Sequence, residues 1–350
     1  MAELYQGKFS GQEIDSRLDN VKRTCRFVIG TSTAGWTEAD CDYLCDGTAD
    51  DVEINAAIQA LPETGGQILI LDGTYIITAP ITIDKTGAIL RGNGTATILQ
   101  RHWNSRTDEG VITITAMDGG VTVQNIKIHG EGQIYTNTNN IGIFLKNSRD
   151  NTITENICNN NSGDGIRLED TPDNTITENI CNDNSGRGIF IVNVNDNIIT
   201  GNICNNNSRE GIRLFNSGNN IIIGNMCSNS DTTGIQLNVT DNNTITGNIC
   251  NNNSIGLSLS SSNKGTITGN TCNDNSSYGI FLTENSSNNT ITGNTCIRGT
   301  GQSSDYTSSQ HSICVASTTS SKNLFVGNNI MGKNYLDQGT GNTWANNKYN

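Results

Sequence analysis

The sequence predicts an all-β chain wound as a parallel β-helix, with three short strands in each coil of about 23 residues. Three observations lead there. Near copies of one segment recur, as "NTITENICNNN" at 151, "NTITENICNDN" at 174, "NIITGNICNNN" at 197 and "NTITGNICNNN" at 243. Seven of the 11 cysteines fall at 158, 181, 204, 227, 250, 272 and 296, at intervals of 23, 23, 23, 23, 22 and 24. Between them, "GIxL" and "TIT" pieces alternate apolar and polar residues with the period of two that belongs to strands.

Each repeat places four side chains inward, as in Ile153, Cys158, Ile166 and Leu168. Leucine-rich repeats share this length, but they need more leucine and a helical half. Here the remainder is Asn, Ser, Gly and Thr, which form helices poorly. Stacked coils put like residues about 4.8 Å apart. The cysteines then form a column of small apolar side chains in the core. The asparagines at 156, 179, 202, 225, 248, 270 and 294 form a second column, expected at a tight left-handed turn with amides bonded above and below. Parallel in-register cysteines are too far apart for disulfides, and they lack zinc-type clustering. Cys41 and Cys45 have a spacing that a metal accepts, but no paired CxxC or histidine cluster accompanies them, so no metal or other cofactor is expected.

Composition narrows the function. The apolar share is 33% and the net charge −13. No basic stripe with interleaved aromatics occurs, which argues against nucleic acid. The first residues have no apolar signal-type core, and no apolar run approaches ~18 residues, so neither export by a signal peptide nor membrane insertion is expected.

Residues 1–24 read as a helical docking or oligomerisation segment: "SGQE" at Ser10 to Glu13 is a capping box, and Ile14, Leu18 and Val21 form one stripe. Residues 25–66 hold a leading strand and a capping helix over about Asp51 to Leu61. Residues 67–350 hold the β-helix, most regular over 151–296, with Trp344 and Tyr349 placed to lid its far end.

The stretch "DGTADDVEINAAIQALPETGGQILILDGTYII" at 46–77 resembles the N-terminal part of the pectate-lyase-like superfamily of right-handed β-helices. "FSGQEIDSRLDNV" is similar to segments ahead of the variable parts of phage tail proteins, and the "NNTITGN" units resemble NosD-type repeats. The resemblance implies a right-handed β-helix of phage or prophage tailspike or tail-fibre type. Such a protein would be a homotrimer in the virion tail, joined to tail or baseplate proteins through its N-terminus. Its partner would be a host cell-surface polysaccharide, with glycan cleavage an open addition. A stand-alone polysaccharide hydrolase, lyase or epimerase is the alternative. The Lys/Arg base-and-clamp pattern of pectate lyases is not recognisable in this chain.

Candidate site residues follow from the outward columns. Phe144, Arg167, Phe190, Arg213, Gln236, Ser258 and Phe281 share one column, and Phe215 lies in the next. Exposed Phe and Arg on adjacent coils suit a sugar or a protein partner. Glu155 and Glu178 on neighbouring coils are separated by about 5 Å, near the spacing of retaining glycosidases, and are the catalytic candidates against a reading as a solvated acidic edge. Asp164, Arg187 and Glu210 read as a surface ion-pair ladder. Insertions at 101–110, 129–140 and 298–312 carry His102, His129 and His311, with Tyr135 and Tyr306 as further binding candidates.

Overall fold

The computed structural model describes residues 26–116, 118–297, 310–332 and 335–349. The helix expected over 1–24, the residue Tyr306 and most of the insertion at 298–312 lie outside the described residues. The described chain winds as a right-handed parallel β-helix. Strands at the "TIT" positions form one sheet of 16 strands, here the threonine sheet, and "GIxL" strands form a second of 11. Every pairing is parallel, and the repeat coils stack in register: Ile153 lies on Ile176, Ile176 on Ile199, and Arg167 on Phe190.

The inward columns are as the pattern requires. Ile153, Cys158, Ile166 and Leu168 are fully buried, and so are their equivalents up the stack. The cysteines at these positions are free, and burial pushes the thiols of Cys158, Cys181, Cys204 and Cys227 up, so they act as protonated packing groups.

The asparagine column is buried inside the corner of the coil. The Asn248 amide nitrogen donates to the carbonyls of Ile222 (2.9 Å) and Thr246 (3.2 Å) and to Oδ1 of Asn270 (2.9 Å). Its own Oδ1 accepts the backbone N–H of Asn225 (2.8 Å) and that residue's side-chain amide (3.0 Å). A second ladder runs through Asn151, Asn174, Asn197, Asn220 and Asn243, and a third through Asn161, Asn184 and Asn207. The expected left-handed turn is displaced by one residue. It falls on the residue before each asparagine: Glu155 (φ 56°), Glu178 (φ 55°), then Gly201, Gly224, Gly247, Gly269, Gly293 and Gly327. The asparagine itself must point inward to reach the next coil, so the residue ahead of it takes the reversal.

The ends are closed differently. At the start, the helix Asp51–Gln59 buries Ile54, Ala57 and Ile58 over the first coils. Its acidic residues anchor it. Asp50 accepts the N–H groups of Gly47 (2.7 Å) and Ile76 (2.7 Å), and Asp51 accepts that of Thr78 (2.6 Å). At the other end, Trp344 stacks on Phe325 with centroids 3.9 Å apart, and Tyr335 stacks on Trp344 at 4.0 Å. Tyr349 reaches this stack only at its edge, 5.7 Å from Tyr335.

Candidate functional site

The outer face of the GIxL sheet carries one column from Phe144 through Arg167, Phe190, Arg213, Gln236 and Ser258 to Phe281, each in register with the next. Strand alternation turns these residues outward while Ile166 and Leu168 face the core. Phe190 is the centre of the arrangement. The guanidinium of Arg187 lies 4.1 Å from its ring centroid, that of Arg167 5.4 Å and that of Arg213 5.8 Å. These are cation–π distances, and the ring organises three cations that would otherwise repel.

Carboxylates fix the cations in place. Arg167 bonds Asp108 and Glu169, each at 2.9 Å. Arg187 bonds Glu210 at 2.9 Å and approaches Asp164 at 3.4 Å, and Arg213 reaches Glu210 at 3.5 Å. The predicted surface ladder of Asp164, Arg187 and Glu210 is therefore corrected to a buried network, with exposures of 5%, 9% and 8%. The walls around it exclude water. Burial pushes the Asp164 carboxyl up, against the pull of the neighbouring Arg187, and burial also holds the Arg213 guanidinium below its usual value.

Three polar atoms on this column are shielded yet unpaired: Nε of Arg167, Nε of Arg213 and Oε1 of Gln236. Such atoms are costly unless something meets them. Beside Arg167 opens a cleft of about 330 Å³, bordered also by Asp108, Asn139, Asp164, Arg187 and Arg209. Arg209 is exposed at the rim and makes no ion pair among the described residues.

The first two insertions wall one end of this groove. They are knitted together through Asn104, which accepts the N–H of Asn137 (3.2 Å) and the side chain of Asn140 (3.1 Å). Tyr135 stands 5.9 Å from His102 within that wall. Beneath it, Arg101 is fully buried. It donates to Ser105, to Asn140 and to the carbonyls of Glu109 and Ile141, and it lies 3.8 Å over the ring of Trp103. None of these direct partners is a carboxylate, so Arg101 adds positive potential under the groove.

Several sequence expectations change. Phe144, expected as an exposed residue, is 1% exposed because Lys146 and Arg167 lie over it. Phe215 stays exposed beside Arg213, at 5.8 Å. Phe281 lies in the same column but beyond the groove, stacked on Tyr278 at 4.5 Å. His311 opens the strand His311–Val315 and pairs in register with Tyr278, so it belongs to the sheet and not to the loop. Glu155 and Glu178 lie at an exposed turn of the threonine sheet, away from the groove, and their carboxylates bond no group among the described residues. Cys45, Asp50 and Glu53 approach one another, and each oxygen of Asp50 accepts a backbone N–H. Sequence reasoning passed over Asp108 and Arg209. The only signal for Arg209 was its place just ahead of the acidic residue that precedes a GIxL glycine.

Comparisons with known proteins agree with this architecture. Residues 183–349 match the family described as "Periplasmic copper-binding protein (NosD)", and residues 76–225 match "Right handed beta helix region". No curated protein sequence matches the chain. Among solved structures, the A-module of mannuronan C-5 epimerase AlgE4 from Azotobacter vinelandii superposes with a TM-score of 0.72 at 18% identity, over 86% of this chain and 97% of the module. The Dettilon tailspike protein gives 0.69 at 17% identity, over 87% of this chain and 64% of its own, so this chain spans less than two thirds of that spike. The periplasmic alginate epimerase AlgG gives 0.56 at 16% identity, over 84% and 82%. At these identities the likeness speaks for the fold. Taken with the two family matches, it shows a right-handed parallel β-helix whose later coils are similar to NosD-type repeats.

Proposed function

We propose that this chain is the glycan-binding shaft of a phage or prophage tail spike or fibre, a homotrimer that holds a host cell-surface polysaccharide in the Phe190 groove. The observation that carries the reading is the groove itself. An aromatic face is set among three guanidinium groups, two of them with unpaired Nε donors, on a rigid sheet. A pyranose ring stacks its C–H face on such an aromatic and offers hydroxyls to the flanking donors and acceptors. Coils repeat about every 4.8 Å, close to the advance of one sugar unit along a linear chain, so a polysaccharide laid along the axis meets equivalent groups in turn. Tailspikes among the structural neighbours support this reading, as does the resemblance of the first residues to phage tail segments. Attachment of the N-terminus to tail or baseplate proteins belongs to the same proposal.

The test is binding to a panel of bacterial surface polysaccharides. Phe190→Ala is expected to weaken the best binder at least tenfold, the scale of a hot-spot contact of ~2 kcal/mol, with the fold retained. Binding equal to wild type would remove the groove from the account.

One observation favours a second reading, a stand-alone carbohydrate-active enzyme. The chain covers 97% of the AlgE4 epimerase module but 64% of the tailspike. On that reading Asp164, whose carboxyl burial pushes up beside Arg187, is the group to supply a proton. Product analysis of bound polysaccharide separates the two. New ends or inverted uronates, lost in Asp164→Asn, would favour the enzyme, whereas unchanged polymer would favour the adhesin.

A further inference from the structure

The opposite flank of the coil has a different character. In the six coils from Ile198 to Met331, two outward panels meet at the glycine column. The first is the outer face of the "TIT" strands: Ile198 and Thr200, Ile221 and Ile223, and the corresponding pairs up to Leu324 and Val326. The second follows the glycine: Ile203, Met226, Ile249, Thr271, Thr295 and Asn329, which pair coil to coil. None of the outward residues of these panels carries a charge, in a chain of net charge −13. Large apolar side chains stand in water there: Ile198 at 41% exposure, Ile223 at 40%, Met226 at 38% and Ile249 at 37%.

The apex between the panels is bare. Gly224, Gly247, Gly269, Gly293 and Gly327 all have φ near +65°, and a side chain at any of them would meet open space. Below these coils the same apex carries Glu155 and Glu178. The uncharged wedge therefore begins where the acidic residues stop.

We infer that this corner is the surface through which copies of the chain pack side by side, with the glycine apex at the shared axis. The inference rests on the homotrimer proposed above and adds which face is buried. Two considerations select a second copy as the occupant. Copies of a strongly acidic protein repel across most faces, whereas the outward residues of this corner carry no charge and expose large apolar side chains. The corner is also extended. Six coils at ~4.8 Å, by about eight residues at ~3.3 Å each, give roughly 760 Å² per copy, shared between its two neighbours in a trimer. The corner packing would leave the Phe190 groove of every copy facing outward, free to bind.

The double variant Gly224→Glu with Gly247→Glu tests this. Glu155 and Glu178 show that a glutamate is accommodated at this turn position with the same backbone. The control is Asn229→Glu with Asn252→Glu, which adds the same charge at left-handed residues of another corner (φ 57° and 56°). Mass is read by light scattering after size exclusion, and folding by far-UV circular dichroism. The expected result is an oligomeric wild type, an oligomeric control and a folded monomeric apex variant, restored in part by high salt. An apex variant that stays oligomeric beside an oligomeric wild type would overturn the assignment of the face and leave the oligomer standing. A wild type that is monomeric at every concentration would overturn the homotrimer and the interface together.

Discussion

Asn248→Asp is expected to be among the most damaging single substitutions in the regular coils. Its side-chain nitrogen faces the carbonyls of Ile222 and Thr246 and the amide oxygen of Asn270. A carboxylate oxygen in that place meets three acceptors, fully out of water. The three bonds that the nitrogen donates are lost and a buried charge takes their place, which should cost on the order of 4 kcal/mol or more. Asn248→Ala removes the same bonds without the charge and should cost about 3 kcal/mol, since it also strands the N–H groups of Asn225. The aspartate variant should regain stability as pH falls, because burial raises its carboxyl and protonation removes the charge. Chemical unfolding at two pH values reads both effects. A pH-independent loss equal to that of alanine would mean that the ladder is open to water. Since each coil contacts only its neighbours, the damage should centre on the coils around 225–270.

Arg187→Met should have the second large effect. The guanidinium neutralises Glu210 and Asp164 in a pocket that shields all three. Its removal leaves two buried carboxylates without their shared cation, a loss of roughly 3–5 kcal/mol. Asp164→Asn should be much milder, because the amide oxygen still accepts the Arg187 N–H now bonded at 2.8 Å. The two variants also differ with pH. The Asp164 carboxyl is raised in the folded chain, so its contribution to stability is fully present below the ordinary carboxylate range and is lost as pH rises through the raised folded value. Wild type should show that decline in thermal scans from pH 3.5 upward, and Asp164→Asn should lack it. Equal profiles would show that Asp164 titrates as it does when unfolded.

The parts of this molecule that were legible from sequence are those set by the coil period. Spacing of Cys158, Cys181 and Cys204 gave the stack, and alternation around Ile166 and Ile189 gave the inward columns. Each position sees its own copy in the next coil, so local pattern and tertiary environment coincide there. Legibility fails where non-repeating chain lies over the stack. Phe144 is covered in part by Arg167 from the next coil, and Arg101 is held in part by Asn140 and Ile141, contacts that no period announces. Phe190 was legible as an outward aromatic, but its three cations come from three coils and two columns. Glu155 and Glu178 interrupt a glycine column, at an exposed turn on the threonine sheet.

The central claim is that the groove of the GIxL sheet holds the glycan. Hydrogen exchange with and without the best-binding polysaccharide tests it most directly. Added protection is expected along 138–140, 162–169, 186–190 and 209–215, with none at the glycine corner beyond what the free protein shows. Protection confined to the corner strands Ile221–Ile223 and Thr244–Thr246, with the groove exchanging as before, would contradict it.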